Sequence, residues 1–416
     1  MKLLVFAHTP PPHHGQSYMV KLMLEGLGGD CRKSAEKRGS DLAKAYGVNF
    51  RIECYHVNAR FSKTLEDVGE FHAWKMLLVF FYCLQAIWCR YRYGVTTIYY
   101  VPAPGKAVAL YRDWLVMLLC RPFFEKIILH WHAAGLAKWL ETSVQIRSRA
   151  MTYRLFKPVT LSIVLSKYNL ADAKKLLSDQ ICVVNNGIPD PCPDFVETVL
   201  PRRRARFLAR QKLLTGEAIS EYELAKTGDS PQTVRVLYLA HCTREKGLFA
   251  AMEGIAAVNR DLAERNSPIR MKLFVAGTFV TADEQLQFGR LMQSPEYAAA
   301  VEYLGFVSDA RKQQALRDAD LFCFPTQYLG ENQPVNLIEA MAFGLPVVTT
   351  QWRSLPEMFP PGYAGLIPGQ APQQIADALS VLMTQKTGEQ LRENFLGHFT
   401  VERHLASLAK AIRSTE

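Results

Sequence analysis

Short strand-like runs, mostly apolar, recur along the whole chain, and most are followed by a loop and then by a stretch of helical pattern. In the first half they fall at residues 2–7, 50–57, 96–101, 126–129, 160–165 and 181–184. In the second half they fall at 234–240, 271–277, 301–304, 321–324 and 345–348. Apolar runs without polar alternation read as strands buried on both faces, and strands separated by helices pair in parallel. The expected class is therefore α/β with two parallel sheets. At 416 residues the chain exceeds what one hydrophobic core organises, so two domains are expected. The alternation lapses over 190–232, read as a basic linker with an insertion. It separates a first domain, 1–189, from a second, 233–399. A helical pattern closes the chain over 389–413, and its end, about 400–416, could pack back onto the first domain.

Several classes of protein are set aside early. The apolar start is too short for a secretory leader and runs into a proline-rich turn. The longest uncharged apolar run, 76–89, would make a helix of about 21 Å, short of the roughly 30 Å of a bilayer core, so no transmembrane span is expected. The nine cysteines stand singly, with no C-x2-C pair, and read as buried reduced thiols in a cytoplasmic protein. The net charge of +10 is unevenly placed. Residues 1–232 hold 32 Lys/Arg against 20 Asp/Glu, whereas 233–416 hold 17 against 19. A basic first half suggests an anionic partner, though a solvated basic surface has the same composition.

Candidate positions lie where strands end, because ligands of open α/β sheets bind beyond the carboxyl ends of the strands. After the first strand, residues 9–17 form a proline-rich turn ending in Gly15-Gln16-Ser17. The turn lacks G-x-G-x-x-G, so a dinucleotide fingerprint is absent. Gly15 would allow a close backbone approach, and the following helix N-terminus would favour a phosphate; a plain strand–helix turn is the alternative. The strand at 126–129 ends in His130-Trp131-His132, with both histidines on one face by alternation. Metal binding, packing and a substrate-facing His132 remain open there, and no third metal ligand stands at a recognisable spacing.

Three stretches carry the basic charge. The apolar helix at 71–93 reads as core, with Arg90, Arg92 and its tyrosines in reach of lipid headgroups. The helix at 139–156 carries Arg147, Arg149 and Arg154 and is a candidate for an anionic membrane surface. The run Pro201-Arg202-Arg203-Arg204-Ala205-Arg206-Phe207 has no aromatic stacking platform, so it reads as a solvated or membrane-facing helix and no nucleic-acid partner is expected.

The most informative stretch of the second half is 324–350, FPTQYLGENQPVNLIEAMAFGLPVVTT. It reads as loop, helix and strand. Pro334 stands near the helix start, and Val335, Ile338, Met341 and Ala342 give an apolar face. Gly344 stands where a left-handed C-terminal cap would. Glu331 lies in the loop and Glu339 within the helix. Ahead of it, the loop His241-Cys242-Thr243-Arg244-Glu245-Lys246-Gly247 follows the first strand of the second domain.

With these motifs in chain order, the sequence resembles family 4 glycosyltransferases over nearly its whole length. The resemblance implies the GT-B fold: two facing Rossmann-like domains, the cleft between them holding a nucleotide-sugar. It implies that Lys246 contacts the donor diphosphate, that Glu331 binds the donor sugar beside the reacting carbon, and that Glu339 accepts from the ribose hydroxyls. His132 matches the family's first-domain histidine near the transferred sugar, Gly15 its glycine-bearing loop, and Asn186-Gly187-Ile188 the segment before the linker. The family's arginine five residues before the lysine is His241 here; either Arg244, two residues before Lys246, supplies the missing charge or His241 donates as an imidazolium. Its glycine three residues after the first glutamate is Pro334, which has no N–H and leaves that donation to Val335. Asn332 and Gln333, beside Glu331, complete the donor-binding candidates.

The implied activity is retaining transfer of a sugar from a UDP- or GDP-sugar to a glycan or lipid-linked acceptor in cell-surface polysaccharide assembly. It is expected in the cytoplasm, peripheral on the inner membrane face. No metal or other cofactor is expected, because no Asp-x-Asp pair ends a strand and a lysine with a helix dipole supplies charge to the leaving group. Glu331 as a sugar clamp and Glu331 as a covalent nucleophile are both compatible with the residues. A non-catalytic sugar-nucleotide-binding module and a Rossmann oxidoreductase are the alternatives.

Overall fold

The strand β1 (Lys2–Ala7) sends alternate side chains to opposite faces, and both faces are apolar. Leu4 and Phe6 enter one core, and Leu3 and Val5 another. A strand buried on both sides needs helices above and below, and this is the plan of each half of the molecule. The computed structural model describes residues 1–11, 14–33, 50–61, 73–102, 105–176, 178–228, 230–386 and 388–416. It falls into two units: 1–189 with 329–333 and 399–416, and 190–328 with 334–398.

In the first unit β1 is joined by β2 (Glu53–Asn58), β3 (Thr97–Tyr100), β4 (Lys126–Trp131), β5 (Val159–Val164) and β6 (Ser178–Val183), all parallel, in the order β2-β1-β3-β4-β5-β6. One face is covered by the helices Ala73–Tyr93 and Ala107–Cys120, with Val79, Cys83, Ala86 and Val116 in the core. The other is covered by Gly15–Gly26 and by the C-terminal helix Val401–Arg413, whose Leu408 and Ile412 join Val20 and Met23 under the sheet. The return to this unit is tight. A Cβ at Gly187 would run into the Thr400 carbonyl, and one at Gly26 into Leu405.

The second unit repeats the plan with β7 (Thr233–Leu239), β8 (Arg270–Ala276), β9 (Val301–Gly305), β10 (Leu321–Phe324), β11 (Val347–Thr350) and β12 (Leu366–Ile367). Their order, β12-β11-β10-β7-β8-β9, reverses direction between β7 and β10. That reversal opens a crevice at the strand ends, the usual ligand position in a doubly wound sheet.

Three expectations need correction. Residues 139–156 are two helices, Leu136–Ser143 and Ile146–Phe156, broken where Val144 turns extended and packs into the core. Residues 389–413 are also two, Gly388–His398 and Val401–Arg413, and they belong to different units. The supposed linker 190–232 belongs to the second unit, its helical part being Leu200–Thr215 and Glu221–Thr227. The expectations for the turn at 9–17 and for the start of the helix at 71–93 lie partly outside the described residues.

Candidate functional site

The crevice of the second unit is formed by the loop after β7 and the loop after β10, and backbone bonds lace the two together. Gln327 N–H donates to the Glu245 carbonyl at 2.8 Å, and the Thr326 hydroxyl reaches the same oxygen at 3.4 Å. Gly247 makes this possible. It has a φ of +87°, and a Cβ would collide with the Pro325 carbonyl. It also opens the helix Leu248–Glu264. Lys246, the residue before it, holds its Nζ 4.3 Å from the centre of the Tyr328 ring and 5.7 Å from that of Phe324. Aromatic faces thus steady the ammonium at the switch point.

His241 and Arg244 stand on the same loop. His241 is half-buried, and its carbonyl accepts from the Tyr238 hydroxyl at 2.8 Å. Arg244 is exposed. Its backbone N–H donates to Glu284 at 2.9 Å and its Nη2 to Gln287 at 2.7 Å, so its guanidinium lies along the helix Ala282–Leu291.

The helix Val335–Ala342 is buried almost all round, with Leu337, Ile338, Ala340, Met341 and Ala342 inside. It ends as its sequence requires: Gly344 has a φ of +58°, Gly344 N–H donates to Met341 O, and Leu345 N–H donates to Ala340 O. Pro334 precedes the first helical turn, and Val335 is the half-buried first helical residue. Asn336 Nδ2 donates to the Leu239 carbonyl at the end of β7, 2.8 Å away, which anchors the helix start beside the crevice. Glu339 is not the solvent-facing glutamate that a helical position suggests. It is 13% exposed and pairs through Oε1 with Lys312 Nζ at 2.5 Å. Lys312, on the helix Asp309–Asp318, was not singled out from the sequence, because nothing local links it to Glu339.

Glu331, Asn332 and Gln333 lie in the first unit, buried. Gln333 is engaged at both ends of its amide. Asn186 N–H donates to Oε1 at 2.8 Å, while Nε2 donates to Leu165 O at 2.7 Å and to Asn185 Oδ1 at 3.0 Å. Asn186 Nδ2 returns a bond to the Gln333 carbonyl at 2.9 Å. Asn332 faces the Ser166 hydroxyl at 3.3 Å and the Trp131 carbonyl at 3.5 Å. Asn332 and Gln333 hold the Glu331 loop to the ends of β4, β5 and β6. The Asn186-Gly187-Ile188 segment is the other half of that clasp.

Three histidines of the first unit, His130, His132 and His404, form one group. The rings of His130 and His132 lie 4.2 Å apart, and Tyr99 bonds His130 Nδ1. His404, from the C-terminal helix, joins them, its Nδ1–H donating to the Asn185 carbonyl at 2.7 Å. His132 is half-buried overall, yet neither of its ring nitrogens reaches water or a hydrogen-bond partner. Burial, followed by the charges of His404 and His14, pushes its pKa down to about 3, and burial pushes that of His404 to about 4. Both are neutral imidazoles at neutral pH. The adjoining loop is fixed from below: Asp172 accepts from Gly135 N–H at 2.9 Å and Ala137 N–H at 2.7 Å, capping the helix Leu136–Ser143.

Gly15 begins its helix behind a cap supplied by the chain itself. Ser17 N–H donates to His14 Nδ1 at 3.3 Å, leaving His14 Nε2 to donate to His8 Nε2 at 2.7 Å. His8 is therefore the acceptor, and burial with the His14 charge pushes its pKa down to about 3.

The basic run at 201–207 is not a free cationic face. Arg206 and Arg210, both buried, share Asp320 at 3.2 and 2.6 Å. Arg202 bonds Asp318 at 2.9 Å, and Arg203 caps carbonyls of Leu316, Ala319 and Phe343. Only Arg204, paired with Glu389, is well exposed. The solvated or membrane-facing reading fails because these guanidiniums bind the end of a helix and the start of β10. Among the described residues no three His, Cys, Asp or Glu side chains are grouped to hold a metal ion.

Two six-stranded parallel sheets in separate α/β units, the second with a reversal between β7 and β10, define the GT-B fold. Solved structures share it over their full length. Anabaena HepE in complex with UDP-glucose aligns with a TM-score of 0.62 at 15% identity, covering 99% of each chain. Sucrose-phosphate synthase from Thermosynechococcus elongatus aligns at 0.66 and 16%, covering 100% of this chain and 99% of its own. Residues 221–396, which lie within the second unit apart from the short segment 329–333, are similar to the family Glycosyl transferases group 1. The putative colanic acid biosynthesis glycosyltransferase WcaL of Escherichia coli is 27% identical over 216 residues, 47% of this chain and 51% of WcaL. The chain spans about half or less of the length of the curated relatives it matches.

Proposed function

We propose that the chain is a retaining, metal-independent glycosyltransferase. It would move a sugar from a UDP- or GDP-sugar to a glycan or lipid-linked acceptor in cell-surface polysaccharide assembly, at the cytoplasmic face of the membrane. The observation that carries this reading is Lys246 at the switch point of the second sheet, on a loop that Gly247 locks to the end of β10. UDP-glucose in HepE and the colanic acid pathway in the name of WcaL support the donor class and the biosynthetic setting.

The chemistry follows from charge. Cleavage of the bond between the anomeric carbon and the phosphate oxygen leaves negative charge on a nucleoside diphosphate. Lys246 stabilises that charge as it forms. Glu339, oriented by Lys312, accepts from the two ribose hydroxyls, a pair matched to one carboxylate. Glu331 clamps the hydroxyls of the transferred sugar. His132, neutral and without a protein partner on either nitrogen, offers a hydrogen bond near the reacting carbon. The acceptor oxygen bonds to the anomeric carbon from the face that the phosphate leaves, and the departing phosphate oxygen takes the acceptor's proton.

The test is turnover of the full chain with a panel of UDP- and GDP-sugars, read as nucleoside diphosphate release with and without EDTA, and as product anomer by NMR. Release with retained configuration, unchanged by EDTA, is expected. Donor binding with no release under any acceptor would make the chain a binding module, and an EDTA-sensitive rate would overturn metal independence.

A further inference from the structure

The helix Ala73–Tyr93 has two apolar faces, and the first unit buries only one. Val79, Cys83, Ala86 and Cys89 lie under it at 0–2% exposure. On the opposite side Leu77, Phe81, Leu84, Trp88 and Tyr91 recur at spacings of four and three, exposed by 72, 58, 49, 53 and 72%. Phe80 adds to the same side at 48%. A monomer seldom leaves so long an apolar stripe in water, and one this regular marks a binding surface. The stripe continues beyond the helix. Tyr91 packs edge-on against Phe123, and the neighbouring helices Ala107–Cys120 and Ile146–Phe156 expose Tyr111, Leu118, Ile146 and Met151. These three helices form one layer: Trp114 on the second bonds Thr152 on the third at 2.9 Å.

The charge on this layer has one sign. The three helices carry seven basic residues, among them Arg92, Arg147 and Arg154 at the surface, and one acid, Asp113, which is buried. We infer that this helix layer lies flat on an anionic bilayer, the aromatic stripe sinking into the headgroup region and the arginines meeting lipid phosphates. A helix of 21 residues lying in the plane presents about 30 Å of such surface. Tryptophan and tyrosine suit that depth, having an apolar body and a polar tip. The charge decides between occupants. A second copy across a two-fold axis would bring the same basic rim against itself, with no exposed acid on these helices to pair with it. Lipid phosphates supply the missing sign, and each arginine near such a surface strengthens partition roughly fivefold. The inference deepens the membrane part of the proposed function and rests on it only for the use of a lipid-linked acceptor. The basic segment at 201–207 plays no part.

The experiment is flotation of the full chain with vesicles of phosphatidylcholine alone and of equimolar phosphatidylcholine and phosphatidylglycerol. The protein should float with the anionic vesicles and remain below with the neutral ones. Leu77→Ser with Phe81→Ser and Trp88→Ser should reduce the bound fraction at least tenfold. Arg92→Glu with Arg147→Glu and Arg154→Glu should do the same, while the stabilisation of either variant by nucleotide-sugars stays as in the wild type. Lipids brominated near the headgroup should quench tryptophan emission in the wild type and less in Trp88→Phe, a change that preserves packing. Failure to float with anionic vesicles would overturn the inference, as would a solution dimer dispersed by the serine variants. Neither result bears on donor turnover.

Discussion

Lys312 Nζ and Glu339 Oε1 meet at 2.5 Å, so a lysine on one helix sets the orientation of the carboxylate on another. Lys312 is 32% exposed at its side chain, which limits what the pair adds to stability, and its consequence is expected in ligand binding. Lys312→Met should raise the donor KM roughly three- to tenfold with a smaller change in kcat, the size of one partly exposed charged hydrogen bond. Lys312→Arg should restore most of the affinity. A kcat loss with an unchanged KM would show that the pair positions something other than the donor.

Asp320 sits between two buried arginines, Arg206 and Arg210, and also accepts from Arg235 N–H at 2.9 Å. Burial opposes its charge, yet the arginines hold its carboxyl below the usual carboxylate range. Asp320→Ala strands two guanidiniums and should destabilise the chain by about 3–5 kcal/mol in urea denaturation. Arg204→Ala, which breaks only the exposed pair with Glu389, should cost less than about 1 kcal/mol. Equal losses would contradict the division of labour along this helix.

The histidine group makes the first unit sensitive to acid. His404 has a folded pKa of about 4 and titrates near 6.5 when unfolded. Below about pH 6.5 the unfolded chain takes up a proton that the folded chain refuses. Stability is therefore full above 6.5 and falls as pH drops toward 4, by about 2 kcal/mol for this group at pH 5. His404→Asn, whose amide can still donate to Asn185, should flatten that part of the pH profile of denaturation midpoints. An unchanged slope would remove His404 from the acid response.

Much of the architecture was legible because buried parallel strands leave uninterrupted apolar runs, as at 3–7, 236–240 and 321–324. Gly344 was legible too, since a left-handed cap leaves a local mark. What could not be read was contact between distant stretches. Nothing near Gln333 announces that its amide binds Leu165 and Asn185, and nothing near His404 announces His132. The basic helix held a usable sign that composition concealed. Arg206 and Arg210, four residues apart on one face, have the spacing of a shared buried partner rather than of general solvation. The helix at 73–93 was read as core from its apolar content, but apolar all round turned out to mean one face buried and one exposed.

The central claim is that Lys246, at the β7–β10 switch point, receives the diphosphate of a nucleotide-sugar. The most direct test is the thermal shift of the full chain across a panel of UDP- and GDP-sugars, repeated on Lys246→Ala. At least one donor at a hundredfold excess over its Kd should stabilise the wild type by about 2.7 kcal/mol. The variant should unfold at the wild-type temperature without ligand and lose that shift. A donor that stabilises both proteins equally, or a panel that stabilises neither, would contradict the account.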